Sequence, residues 1–215
     1  MFVPRQPLPP LYVVTDRLQA GEDRFLQILE DIMPEQGMMI QIREKDLGTR
    51  ELLRFVEAVY QLAHPFHVPC LINDRMDLVV ATKAAGVQLR ADSMPTQEAR
   101  KSLGSGYLIG KSVHSAEEAL QSEQDGADFV VLGPVYETPS KQQYGPPLGL
   151  DVIREAVRHC TIPVYAIGGL TPARVEHVMA AGAVGVAVIS SIFQAASPRE
   201  AVTRYATQLR KWRPQ

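Results

Sequence analysis

Short apolar runs alternate with helical stripes along the whole chain, and this alternation restricts the fold more than any single residue does. Leu11–Thr15 (LYVVT) is brief and β-branched, which reads as a buried strand. Phe25, Ile28, Leu29, Ile32 and Met33 then recur at helical spacing and make one apolar face. Met38–Ile42 is the next strand, and Leu52, Val56, Val59, Tyr60 and Ala63 form the next helical stripe. Further strands are expected at Pro69–Ile72, Gly86–Leu89, Tyr107–Gly110, Asp128–Leu132, Ile162–Ile167 and Gly185–Ile189. Helices between and after them are expected at Asp77–Ala85, Thr96–Leu103, Ala116–Gln124, Asp151–Arg158, Pro172–Ala181 and Pro198–Trp212.

Strands alternating with helices imply a parallel sheet with right-handed crossovers. Eight such units in about 200 residues favour a closed (β/α)₈ barrel, an α/β fold, near the small end of its size range. An open doubly wound sheet is the alternative, but Thr15-Asp16-Arg17-Leu18 follows the first strand where a dinucleotide-binding sheet needs GxGxxG. Residues 1–10 carry four prolines and no apolar run, so they read as an extended tail and not as a signal peptide. Residues 11–215 show no composition break and read as one barrel domain.

Several boundaries have local signals. Thr171-Pro172 puts a cap residue before a proline at the first helical position. Ser115 with Glu118 fits a capping box. Ala85-Gly86, Asp125-Gly126 and Ala181-Gly182 each place a glycine where a helix could end in the left-handed conformation.

Charge removes some function classes. Against 24 acidic residues stand 22 basic ones, which excludes a nucleic-acid protein built on bulk positive charge. No run of about 18 apolar residues suggests a membrane span. Two cysteines, Cys70 and Cys160, lack metal-ligand spacing, and a reducing, cytoplasmic location is the default expectation.

A barrel of this kind carries its chemistry on the loops after the strands. After the second strand, alternation points Gln41, Arg43 and Lys45 to one face and Ile42 and Glu44 to the other. An amide and two cations there suit a polyanion such as diphosphate. Asn73-Asp74 follows the third strand. Asp74 suits Mg²⁺, which takes one or two carboxylates plus phosphate oxygens, although the pair could instead cap the next helix. Asp92 after the fourth strand is a second metal candidate or, with Ser93, a helix cap. With Ser115 assigned to capping, Ser112 remains for a ligand. Thr138, Ser140 and Lys141 lie in the longest loop, and Gly168-Gly169 with Ile189-Ser190 suit a phosphate cradle. Two anion pockets at one mouth describe an enzyme that joins a phosphorylated substrate to one carrying a metal-bound diphosphate.

Gln41-x-Arg43-x-Lys45, Ile72-Asn73-Asp74, Gly133-Pro134-Val135-Tyr136, Thr138-x-Ser140-Lys141, Ile167-Gly168-Gly169 and Val188-Ile189-Ser190 together resemble the thiamine phosphate synthase family and its paralogue, the thiazole tautomerases. The resemblance runs from Leu11 to Trp212. It implies a Mg²⁺-dependent transferase of thiamine biosynthesis that joins hydroxymethylpyrimidine diphosphate to thiazole phosphate. Gln41, Arg43, Lys45 and Asn73 would hold the diphosphate substrate, and Asp74 would hold Mg²⁺. Ser112 would contact the reacting pyrimidine and Lys141 would neutralise the leaving group. Thr138 and Ser140 would line the thiazole side, with Gly169, Ile189 and Ser190 on its phosphate. Lys141, Ser112 and Arg43 are the catalytic candidates.

The family's histidine and second metal aspartate after the fourth strand are here Gln88 and Ser93, and Asp92 sits one residue early. The tautomerase histidine after the glycine ending the sixth strand is here Pro134. A tautomerase and a non-catalytic regulatory paralogue that binds thiazole phosphate are the alternatives. The expected partners are these small phosphorylated molecules, with no nucleic acid and no membrane, and a homo-oligomer is compatible with the sequence.

Overall fold

The computed structural model describes residues 7–138 and 146–212. In chain order they form β1 (Leu11–Val14), α1 (Arg17–Ala20), α2 (Glu22–Ile32), β2 (Met38–Ile42), α3 (Thr49–Ala63), β3 (Cys70–Asn73), α4 (Met76–Thr82), β4 (Gly86–Leu89) and α5 (Thr96–Leu103). Then follow β5 (Leu108–Val113), α6 (Ala116–Gln124), β6 (Phe129–Leu132), α7 (Asp151–His159), β7 (Val164–Ile167), α8 (Val175–Ala180), β8 (Gly185–Val188), α9 (Ser190–Phe193) and α10 (Pro198–Arg210). The strands close a parallel barrel in sequence order, and β1 pairs with both β2 and β8. The expected (β/α)₈ barrel is thus the fold.

Alternation along each strand divides the apolar side chains into two cores. One set, among them Val13, Ile40, Ile72, Val87 and Val130, packs outward against the helices. The other set, Tyr12, Met39, Leu71, Phe129, Val131, Tyr165 and Ala187, forms a separate cluster inside the barrel. There Tyr12, Phe129 and Tyr165 meet edge to face with ring centroids 5.5–6.1 Å apart. At the N-terminal end of the barrel, Leu8 packs on this inner cluster and Tyr165 Oη donates to Pro9 O at 2.9 Å. Residues 7–10 therefore stopper the closed end.

Some local expectations need correction. β5 runs to Val113, not to Gly110, because its ladder with β6 continues through Lys111–Val130 and Ser112–Val131. Lys111 and Ser112 are consequently strand residues. Gly86 does not end a helix. Lys83 takes that role at φ 55°, and Gly86 opens β4, where a side chain would overlap Leu108 O. Thr171-Pro172 opens a 3₁₀ turn, Pro172–Arg174, with no side-chain cap. Ser115 does cap α6 by accepting from Glu118 N, but the Glu118 carboxylate accepts from His114 N one residue earlier than a capping box requires.

Candidate functional site

Every strand of a parallel barrel ends at the same mouth, so the groups after β2, β3, β4 and β5 share one rim with those after β7 and β8. Inward-facing polar side chains ring that rim. Gln41 is 6% exposed, and its amide donates to Asn73 Oδ1 at 2.9 Å. Asn73 in turn donates to Asp74 Oδ2 at 3.3 Å. Asp74 adopts φ 56°, a left-handed conformation that Asp and Asn tolerate better than most residues. It does not cap α4, whose N-cap is Arg75 with no side-chain capping bond, and the N-cap of α5 is likewise Pro95, with no cap from Asp92 or Ser93. Both aspartates are left to other partners.

Those partners centre on Arg90. Its backbone N–H donates to Asp74 Oδ1 at 3.1 Å. Its guanidinium Nε lies 2.5 Å from Asp74 Oδ2 and 3.5 Å from Asp92 Oδ1. Lys111 Nζ donates to Arg90 O at 2.8 Å and Ala91 O at 3.3 Å, which pins the loop after β4. Burial lowers the Lys111 ammonium from its ordinary value, opposed by Asp74 and Asp92.

Arg43 is half-buried, and burial lowers its guanidinium from the ordinary arginine value, with Asp16 and Glu44 opposing. Lys45 is exposed at the rim. Arg43 is positioned by an outward-facing relay. Its backbone N–H donates to Thr15 Oγ1 at 2.9 Å, and Thr15 donates to Glu44 Oε1 at 2.7 Å. The Arg17 backbone N–H also donates to Glu44, at 3.2 Å, while the Arg17 guanidinium spans Glu44 and Asp46. Glu44 is a supporting residue that the charge pattern does not single out, although a carboxylate pointing from a strand toward the apolar helix layer is its signal in the sequence. Burial pushes the Glu44 carboxyl above its ordinary value, against the Thr15 and Arg17 hydrogen bonds. The folded state therefore holds this proton more tightly than the unfolded chain. Its contribution is fully present below the ordinary carboxylate range and is lost as pH rises through the raised value. Glu44→Gln should flatten that part of the stability profile, as followed by thermal unfolding across pH 4–7 (about the range set by the carboxylate reference value).

Ser112 accepts from Gln88 Nε2 at 3.2 Å, and Gln88 Oε1 accepts from Tyr12 Oη at 3.3 Å. Because Gln88 supplies the incoming proton, the Ser112 hydroxyl hydrogen is left to donate. A glutamine in the middle of the apolar run GVQL was the sequence clue to this relay.

On the opposite arc, Gly168 and Gly169 adopt φ 99° and 61°. A Cβ on Gly169 would overlap Glu137 O and come within 2.8 Å of Tyr136 Cβ. Arg174 stacks 4.4 Å over the Tyr136 ring and donates to Gly169 O, tying this loop to the turn before α8. The register pairs Ile167 with Ala187, so Gly169 and Ile189 leave their strands side by side. Ile189 is the N-cap of α9, and the exposed Ser190 is its first residue. Thr138 is partly buried on the loop after β6. Ser140 and Lys141 lie outside the described residues.

The donor set bears on a metal. Among the described residues no three His, Cys, Asp or Glu side chains gather as a cage. Asp74, with Asp92 across Arg90, offers one or two carboxylates. That is the set a divalent cation shares with substrate phosphate oxygens, so these residues fit a metal that arrives with a polyanion. Among the described residues no helix is long and apolar enough to cross a membrane.

Comparison with known proteins points to one family. The family model described as thiamine monophosphate synthase matches residues 11–192. A protein of Geobacter sulfurreducens is 44% identical over 190 residues, 88% of this chain and 89% of that one. A thiamine-phosphate synthase of Roseiflexus castenholzii is 40% identical over 194 residues, 90% of this chain and 85% of that one. The solved structure of thiamine phosphate pyrophosphorylase from Pyrococcus furiosus superposes with a TM-score of 0.86 at 32% identity, covering 96% of this chain and 98% of that one. The family match spans both arcs of the rim, from β1 to α9, and the chain belongs to the thiamine monophosphate synthase family.

Proposed function

We infer that the protein is a thiamine phosphate synthase, a transferase that joins a pyrimidine carrying a diphosphate to a thiazole phosphate and releases diphosphate. The observation that supports this reading is the pairing of two unlike polar arcs on one rim, each with groups suited to an anion. The Gln41–Asn73–Asp74 chain with Arg43 and Lys45 forms one arc, and the Gly168-Gly169 turn beside α9 forms the other.

In the reaction the carbon–oxygen bond to diphosphate breaks and a carbon–nitrogen bond to the thiazole forms. The amino-pyrimidine ring stabilises the cation that develops, so the main demands on the protein are charge and placement. Asp74, with Asp92 on the loop after β4, would hold the divalent cation, which would supply positive charge against the departing diphosphate. Arg43 and Lys45 supply further positive charge, and Lys141 is the expected third cation. Gln41 and Asn73 hold each other's amides and orient the diphosphate side. Ser112 donates its hydroxyl hydrogen toward the pyrimidine or the leaving oxygen. Gly169, Ile189 and Ser190 hold the thiazole phosphate through backbone N–H and hydroxyl donors, with Thr138 and Ser140 lining the thiazole. No strong general base is required.

The test is direct. Purified protein with Mg²⁺ should release diphosphate when given both substrates and not when given either alone. No release, together with retained thiazole-phosphate binding by calorimetry, would point to a regulatory paralogue. An ultraviolet change on the thiazole alone, without metal, would point to a tautomerase.

A further inference from the structure

We propose that Arg90 and the divalent cation compete for the Asp74 carboxylate, and that incoming diphosphate resolves the competition by drawing the Arg90 guanidinium onto itself. This rests on the diphosphate reading above. Both Asp74 oxygens are engaged by this one residue, Oδ1 by the backbone N–H at 3.1 Å and Oδ2 by Nε at 2.5 Å. The same Nε faces Asp92 Oδ1 at 3.5 Å, so the guanidinium stands between the two candidate metal carboxylates.

The two contacts differ in permanence. The backbone bond belongs to a loop clamped by Lys111 Nζ at two carbonyls. The guanidinium sits on a long side chain that is 48% exposed, and its charge acts on Arg43. It can therefore leave while the loop stays. A guanidinium gains more from a diphosphate, which offers paired oxygens at higher charge, than from one carboxylate oxygen. Its departure leaves Asp74 Oδ2 with the Asn73 amide at 3.3 Å and a lone pair for a cation that reaches the site together with the same diphosphate. Mg²⁺ sheds its water reluctantly and prefers phosphate oxygens plus one or two carboxylates, so metal and substrate enter as a unit. Arg90 then becomes a diphosphate-binding residue in its own right.

The experiment uses the full chain and Mn²⁺ alone as probe, with the free ion followed by electron paramagnetic resonance. Arg90→Ala and Arg90→Gln should each bind Mn²⁺ about tenfold more tightly than wild type. Arg75→Gln is the control. It removes the same charge next to Asp74, but Arg75 pairs with Asp77 at 2.6 Å, so its Mn²⁺ affinity should stay within about twofold. Equal Mn²⁺ affinity in wild type and both Arg90 variants overturns the competition, as does an equal gain in Arg75→Gln. In a second titration with Mg²⁺ present, inorganic diphosphate should bind wild type about tenfold more tightly than Arg90→Gln. Wild type that takes up no diphosphate there overturns the diphosphate reading itself, a failure the Mn²⁺ titration keeps separate. Thermal unfolding of each variant establishes that it is folded.

Discussion

Asp74→Asn should lower the rate of diphosphate release about 10²–10³-fold while leaving thiazole-phosphate affinity within about twofold. Asparagine is the informative replacement. Asp74 stands at φ 56°, and an alanine there would add backbone strain to the loss of charge. Asparagine accepts that conformation and keeps an oxygen for the Arg90 backbone N–H, now 3.1 Å from Oδ1. What it removes is the negative charge proposed to hold the cation. Steady-state release measures the first effect, and calorimetry with thiazole phosphate measures the second. An equal loss of both would sink the metal role, since it would mean that Asp74 supports the rim as a whole.

Gly169→Ala should cost the other arc. The residue sits at φ 61°, where an L side chain costs about 1–2 kcal/mol. Its Cβ would also overlap Glu137 O and crowd Tyr136 Cβ at 2.8 Å, so the β6 loop must move. The moved loop carries Arg174's stacking partner, and Arg174 bonds the Gly169 carbonyl. The expected result is a loss of about 3 kcal/mol, near 6–12 °C in Tm for a chain of this size. Thiazole-phosphate affinity should fall more than about tenfold. Gly149→Ala separates the two causes. Gly149 has φ 75° but nothing within 4 Å of its Cβ, so it should show the backbone cost alone. Matching Tm losses in the two variants would show that the Gly169 overlap relaxes freely.

Much of the barrel and part of the rim were legible because they depend on local spacing. The apolar runs mark the strands, and alternation from Met39 to Gln41 to Arg43 carries the inward face straight to the mouth. Gly168-Gly169 is visible because only glycine meets the twin demands of positive φ and close backbone approach there. The supporting shell was less legible. Thr15 and Glu44 are 29 residues apart, Gln88 and Ser112 are 24 apart, and Tyr12 and Gln88 are 76 apart. These pairs meet only because neighbouring strands pair in one register and the barrel closes between β8 and β1. Helix capping misled for a related reason. Asn73, Asp74, Asp92 and Ser93 have the chemistry of caps, yet the N-caps of the helices after them are Arg75 and Pro95, without side-chain capping bonds. Arg90, on the loop after β4, holds both Asp74 and Asp92 instead.

The amino-acid order by itself determined the eight βα units, the inward and outward faces of each strand, and the kinds of charge that reach the mouth. These follow from periodicities of two and 3.6 residues, which need no knowledge of distant neighbours. Only the tertiary structure decided what each charge faces. It set Arg90 between two aspartates, Glu44 beneath the Arg43 backbone, and Gln88 behind Ser112. Electrostatic partnership depends on separations of a few ångströms between groups far apart in the chain, and those separations exist only once the barrel has closed.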